Sequence, residues 1–206
     1  MKTIKILPQL NITNGLLVAN NQSVFLQQGS LDGACGPYCL FMALLILDVI
    51  TYDDAISLWK IKRSTKLGKL IKAMEVHKQL FQAGTYVEDL KEMIEVSFKN
   101  EVEVKTNKEG GKKTIQFILQ QLKNQNPVIV GVKNKTISHW LLAIGYEEFE
   151  NEIAKILFLD PSENQPINYF NAAINIKDTV YGYPYKWETM DETYIKFEDA
   201  VSIHKK

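Results

Sequence analysis

Apolar positions along this chain change their spacing near its middle. From Lys2 to Phe25, short apolar runs alternate with Asn/Gly breaks, which predicts short strands and turns rather than a helix. The segment Gln27-Gln28-Gly29-Ser30-Leu31-Asp32-Gly33-Ala34 follows, and its glycines mark an irregular loop. From Pro37 the spacing becomes helical, because proline is tolerated in a first turn and Leu40, Leu44, Leu47 and Ile50 recur at helical intervals. Cys35 therefore stands where a loop becomes an apolar helix. A second helix is predicted from Thr51, an N-cap residue with Asp53 and Asp54 in the first turn, through Ile56 and Trp59. Further helices are expected from Leu67 to Lys78 and from Val87 to Val96.

The second half has another character. Glu101-Val102-Glu103-Val104 alternates as a strand does, and Thr114 to Lys123 is an amphipathic helix. Strand signals then dominate, with candidates at Pro127 to Lys133, Ile137 to Tyr146 and Ile153 to Asp160. Helices first and strands later make an α+β protein.

Length and composition narrow the picture without naming a function. A chain of 206 residues fits one domain spanning 1–206, or one domain of two lobes, with no second independent domain. It is 46% hydrophobic and 23% charged, with 24 basic against 24 acidic residues, so nothing in the balance asks for nucleic acid. The longest apolar stretch, Leu40 to Ile50, contains Asp48 and falls short of the roughly 20 residues of a membrane span. The N-terminus lacks the pattern of a secretory signal, which leads us to expect a cytoplasmic protein, or one exported without a recognisable signal peptide. Between Asp54 and Glu75 lie Lys60, Lys62, Arg63, Lys66, Lys69 and Lys72 with no acid among them, a solvated basic face or the site of an anionic partner.

The two cysteines, Cys35 and Cys39, are too close along one helix for a comfortable bridge, and none of the three histidines has ligand spacing to them. We therefore expect no metal and no cofactor. A thiol redox pair is disfavoured because the usual motif has two intervening residues and this pair has three. Cys35, at a helix start, is placed to form a thiolate, and Gly36 beside it leaves the backbone uncrowded for a substrate carbonyl. The Cys35 amide is then one oxyanion donor. Gln27 or Gln28, eight or seven positions earlier, offers a second, and Gln28, followed by glycine, is preferred. Cys39 reads as core.

The base should be His139, a polar ring opening the apolar run Trp140-Leu141-Leu142-Ala143-Ile144-Gly145-Tyr146; a structural histidine is the alternative. His77 and His204 read as solvated surface residues. If Tyr146 and Ile153 pair across a loop from Glu147 to Glu152, residue numbers across the hairpin sum to 299 and His139 stands directly opposite Asp160. Opposed side chains share a face with Cβ atoms about 4.5–5.5 Å apart, close enough for a His–carboxylate hydrogen bond. The other reading of Asp160 is a turn starter before Pro161.

Cys35-Gly36-Pro37 before an apolar helix, His139 through Tyr146, and Phe158-Leu159-Asp160-Pro161 together resemble the papain-like cysteine peptidases, in particular the bacterial leader peptidases that process double-glycine peptides for ABC exporters. The resemblance runs in order from about Gln28 to Pro161, with looser matching between Ile50 and Pro127. It departs in showing no attached exporter and a slightly longer Gln-to-Cys loop. It implies Cys35 as nucleophile, His139 as base, Asp160 as its orienter and Gln28 as oxyanion donor. It further implies a helical lobe carrying the nucleophile, an antiparallel β lobe carrying His and Asp, and a peptide or protein substrate in the cleft between. A deamidase or acyltransferase effector acting on a protein target would use the same residues, and a catalytically silent peptide-binding module would keep only the cleft. The aromatics of Tyr181-Gly182-Tyr183-Pro184-Tyr185-Lys186-Trp187 either line a substrate groove or pack as a strand face.

Overall fold

The computed structural model describes residues 1–29, 33–76, 84–177, 182–189 and 192–206. His77, Lys78, Tyr181 and the middle of the loop before Cys35 lie outside them. The chain begins with β1 (Lys2–Ile6), β2 (Leu10–Thr13), β3 (Leu16–Ala19) and β4 (Gln22–Ser23), so the Asn/Gly-broken start is strand and turn as expected. Thr13 pairs with Leu16 across Asn14-Gly15, and Ala19 pairs with Gln22 across Asn20-Asn21. All four loop residues have positive φ, between 50° and 76°, which two-residue hairpins of matching twist require and Asn and Gly tolerate.

Helices α1 (Cys35–Ile46), α2 (Tyr52–Ile56), α3 (Lys66–Val76) and α4 (Val87–Phe98) come next. Every residue of α1 except Tyr38 is buried. A helix apolar on all sides must be covered on all sides. It packs against α4, β3 and two strands of the second half. Thr51 caps α2 in a reciprocal capping box with Asp54, as its sequence suggested, but the α-helix ends at Ile56 and Trp59 falls in a separate single 3₁₀ turn. Arg63, just before α3, and Lys66, its first residue, are engaged by Glu75 and Glu101 at the surface. No helix among the described residues is long and apolar enough to cross a membrane.

The second half contributes β5 (Val102–Asn107), α5 (Gly111–Lys123), β6 (Val128–Lys133), β7 (Ser138–Phe149), β8 (Glu152–Leu159), β9 (Ala172–Asn175), β10 (Tyr185–Glu188) and β11 (Glu192–Lys205). The fold is thus mixed α+β with antiparallel sheets. Strands run β7-β6-β11-β10-β9-β8, and β8 pairs back to β7, so six strands close on themselves; β1 adds to β7 and β5 to β11. Closure demands curvature, supplied by irregular pairing at Ala143/Gly145 and Glu147/Glu148 on β7 and at Phe197/Ala200 on β11. Gly145 is needed at its bend, where a Cβ would stand 2.3 Å from the Lys5 carbonyl on β1.

Two sequence expectations are corrected. The β7–β8 hairpin does not turn through Glu147–Glu152. Both strands run on to pair Phe149 with Glu152, and a two-residue turn at Glu150-Asn151, again with positive φ at both positions, joins them. The pairing sum is therefore 301 at Ala143–Phe158 and Leu142–Leu159, not 299. His204, expected as a solvated tail histidine, sits half-buried on β11 opposite Glu103, where burial and Lys105 lower its pKa.

Candidate active site

Cys35 is the first residue of α1. Ala34 precedes it without a side-chain cap, and the first turn holds no acidic residue. The positive end of the helix dipole is thus offset by no acidic side chain of the first turn. Gly36 has a different role from the one its sequence suggested: a Cβ there would meet Thr85 at 3.0 Å and Trp140 at 3.3 Å, so its missing side chain makes room for packing rather than for substrate. Four residues on, the Cys39 thiol donates to the Trp140 carbonyl at 3.4 Å and is fully buried. Burial, with the charges of Cys35 and Asp160 adding to it, pushes its pKa well up, so Cys39 is core.

His139 enters from β7, the second residue of a strand whose following residues fill the interior. Its Nε2 lies 2.8 Å from Asp160 Oδ1. Asp160 is 1% exposed and stands just past the end of β8. The two are not directly opposed, because the local register differs from the expected one by two residues. An even shift keeps both side chains on one face, where a shift of one would have parted them. The turn-starter reading of Asp160 holds as well: Oδ1 also accepts from Ser162 N at 2.8 Å, and Glu163 N donates to the Asp160 carbonyl at 3.3 Å.

Ser162 Oγ also lies 3.4 Å from Nε2, and the ring interacts with Cys35 as well. Burial works against a charged His139 ring, but hydrogen bonds to Asp160 and Cys35 and the negative charge of both override it, carrying its pKa up to about 10. Trp187 stacks on the ring with centroids 5.8 Å apart and planes 20° from parallel. Of the aromatic segment, Tyr185 and Trp187 are buried residues of β10, Trp187 packed on the histidine and Tyr185 on Phe197.

Gln28, Cys35 and His139 line one cleft of about 520 Å³, together with Thr85, Glu198 and Asp199. Gln27 is exposed and turns to Asn164 at 3.5 Å, so of the two neighbouring glutamines only Gln28 borders the thiol's cleft. The Gln28 backbone N–H donates to the Pro161 carbonyl at 2.7 Å, tying the glutamine loop to the turn that begins at Asp160. Asn171 clamps that turn from the other side: its Oδ1 accepts from Asp160 N at 2.7 Å, and its Nδ2 donates to the carbonyls of Asp160 at 2.9 Å and Asn164 at 3.0 Å. Asn171 and Ser162, which brace Asp160, and Thr85, Glu198 and Asp199, which line the cleft, carry no sequence signal of their own, since each is brought there only through the tertiary fold. Among the described residues no three of His, Cys, Asp or Glu gather as a metal site.

No family model and no curated protein matches this chain. Fifteen chains among solved structures do match. One of them, a crystal structure of UfSP from C. elegans, aligns over 98% of this chain with 13% identity and a TM-score of 0.46. This chain spans 37% of that protein's chain.

Proposed function

We propose that residues 1–206 act as one papain-like cysteine hydrolase unit that cleaves a peptide or related amide bond, with Cys35 as nucleophile, His139 as base, Asp160 as orienter and Gln28 as oxyanion donor. The observation that carries this reading is the grouping of a thiol at an uncapped helix start and an imidazole in one cleft, with a buried carboxylate behind the ring 2.8 Å from its Nε2. A nucleophile beside a base that is itself oriented by a third group is the arrangement covalent acyl transfer needs.

In this mechanism the Cys35 proton rests on His139, giving a thiolate–imidazolium pair that the raised histidine pKa favours. The thiolate attacks the substrate carbonyl carbon, and the carbonyl oxygen becomes an oxyanion facing the Cys35 amide and the Gln28 side chain. As the C–N bond breaks, the imidazolium gives its proton to the leaving nitrogen. His139 then takes a proton from water, whose oxygen attacks the thioester carbon; the C–S bond breaks, releasing the acid and restoring the thiolate–imidazolium pair. Asp160 keeps the ring turned and its charge matched throughout. The likeness of the Cys35 and His139 motifs to bacterial leader peptidases makes double-glycine leader peptides the first substrates to try.

Mass spectra of candidate substrates after incubation test the reading. New termini should appear with the native protein and vanish with Cys35→Ala, at unchanged melting temperature. A gain of about one dalton without cleavage would assign glutamine deamidation instead. Limiting iodoacetamide near pH 6 should label Cys35 first; preference for Cys39 would remove the nucleophile assignment.

A further inference from the structure

β11 leaves its ladder at two residues. Its pairing with β6 shifts between Phe197 and Ala200, so Glu198 and Asp199 form a bulge, and both line the cleft that holds Cys35 and His139. Bulges re-aim side chains out of the strand's alternation. This one is held from α5, where Thr114 Oγ1 donates to the Glu198 carbonyl at 2.8 Å.

The two carboxylates are not equivalent. Glu198 is met by Lys133 at 3.5 Å and Lys196 at 3.3 Å. Asp199 is half-buried and, among the described residues, has neither hydrogen bond nor ion pair. Burial and the neighbouring Glu198 push its pKa up, and the one cation that pulls it down, Lys108, is itself ion-paired to Glu88. A half-buried carboxylate without a counter-charge is costly. A ligand that brings a cation relieves it.

We infer that this cleft selects peptides carrying a lysine or arginine side chain, whose cation pairs with Asp199 in the Glu198-Asp199 bulge. The inference rests on the peptidase reading in taking the ligand to be a peptide. The residue set makes the selectivity electrostatic: a norleucine side chain fills the same space without the charge, and a glutamate is repelled.

The test uses acetylated pentapeptide amides that differ only in a central Lys, Arg, norleucine or Glu, titrated by NMR into the full chain carrying Cys35→Ala. Lys and Arg peptides should bind about tenfold tighter than norleucine, the size of one partly desolvated charge pair, and Glu should bind worst. Adding Asp199→Asn, which keeps the shape, should erase that difference, and Asp199→Lys should reverse it in favour of Glu. Equal binding of Lys and norleucine peptides, a preference that survives Asp199→Asn, or no binding of any peptide would each overturn the inference. The native protein is given the same four peptides and their cleavage is measured. Lysine-selective binding without cleavage supports the Asp199 site and counts against the peptidase, whereas cleavage indifferent to charge supports the peptidase and counts against the site.

Discussion

At Asp160 one carboxylate oxygen serves two donors, the Ser162 amide and the His139 ring, each at 2.8 Å. Asp160→Asn keeps the outline but removes the charge that holds His139 protonated up to about pH 10. The alkaline limb of kcat/KM should therefore move to lower pH, and turnover should fall by up to about 10²-fold, less than for loss of His139 itself. A limb that stays in place would reject the coupling. The same shift bears on stability. A histidine whose pKa is raised on folding stabilises the native state fully below its unfolded value of about 6.5 and loses that contribution as pH rises toward about 10. Urea midpoints of the native chain should fall across that window, and the fall should flatten in Asp160→Asn. Gln28→Ala should lower kcat by roughly 10²–10³ with little change in KM, while Gln27→Ala should be near neutral. Cys35, His139, Gln28 and Asp160 stand out as candidates in the sequence because each is a polar or reactive residue set against an apolar run or a glycine loop. Asn171 and Trp187 do not, because their partners are the backbone of Asp160 and the face of His139, and neither lies near them in the chain.

Most elements followed from spacing, and the reasons for the misses are specific. Helices α1 and α4 and strands β5 to β8 lie within a few residues of their expected places because their periodicity is strong. The β7–β8 register was misjudged because Glu147, Glu148, Glu150 and Glu152 read as a polar loop. In fact most of them belong to strands, with Glu147 buried and paired to Lys2. β9 to β11 went unassigned because they are short or carry charges on their outer face. The true turn, Glu150-Asn151, forces a glutamate to φ of 52°. Replacing the pair by Asn-Gly removes that strain at the exposed end of the hairpin, far along it from His139. Stability should rise by about 1 kcal/mol, a Tm gain of roughly 2–4 °C, with kcat/KM unchanged. No gain in thermal melts would show that the turn residues do not limit the hairpin.

Across the whole molecule, the pieces of the cleft come from distant parts of the chain: Gln28 and Cys35 early, Thr85 before α4, His139 from β7, with Asp160 buried behind it just past β8, and Glu198 and Asp199 from β11. β11 is also the strand that joins β6 to β10 and so completes the ring. Sheets built from such long-range pairs form late and slowly. This closure sets a timetable during synthesis. The ribosome delivers the apolar helix of Cys35 long before β11 exists, so the growing chain must hold an unshielded hydrophobic segment, a natural client for chaperones. Its thiol then meets a settled imidazole only after residue 205 has been made. Nascent chains stalled before Glu192 carry Cys35, Gln28, His139 and Asp160, yet at pH 6 they should show no selective labelling of Cys35. Chains released past Lys205 should acquire it in a single step, and early reactivity in the stalled chains would mean that the thiol is activated without the ring. The order of translation would thus keep this cysteine chemically quiet in the crowded vicinity of the ribosome until the last strand is in place.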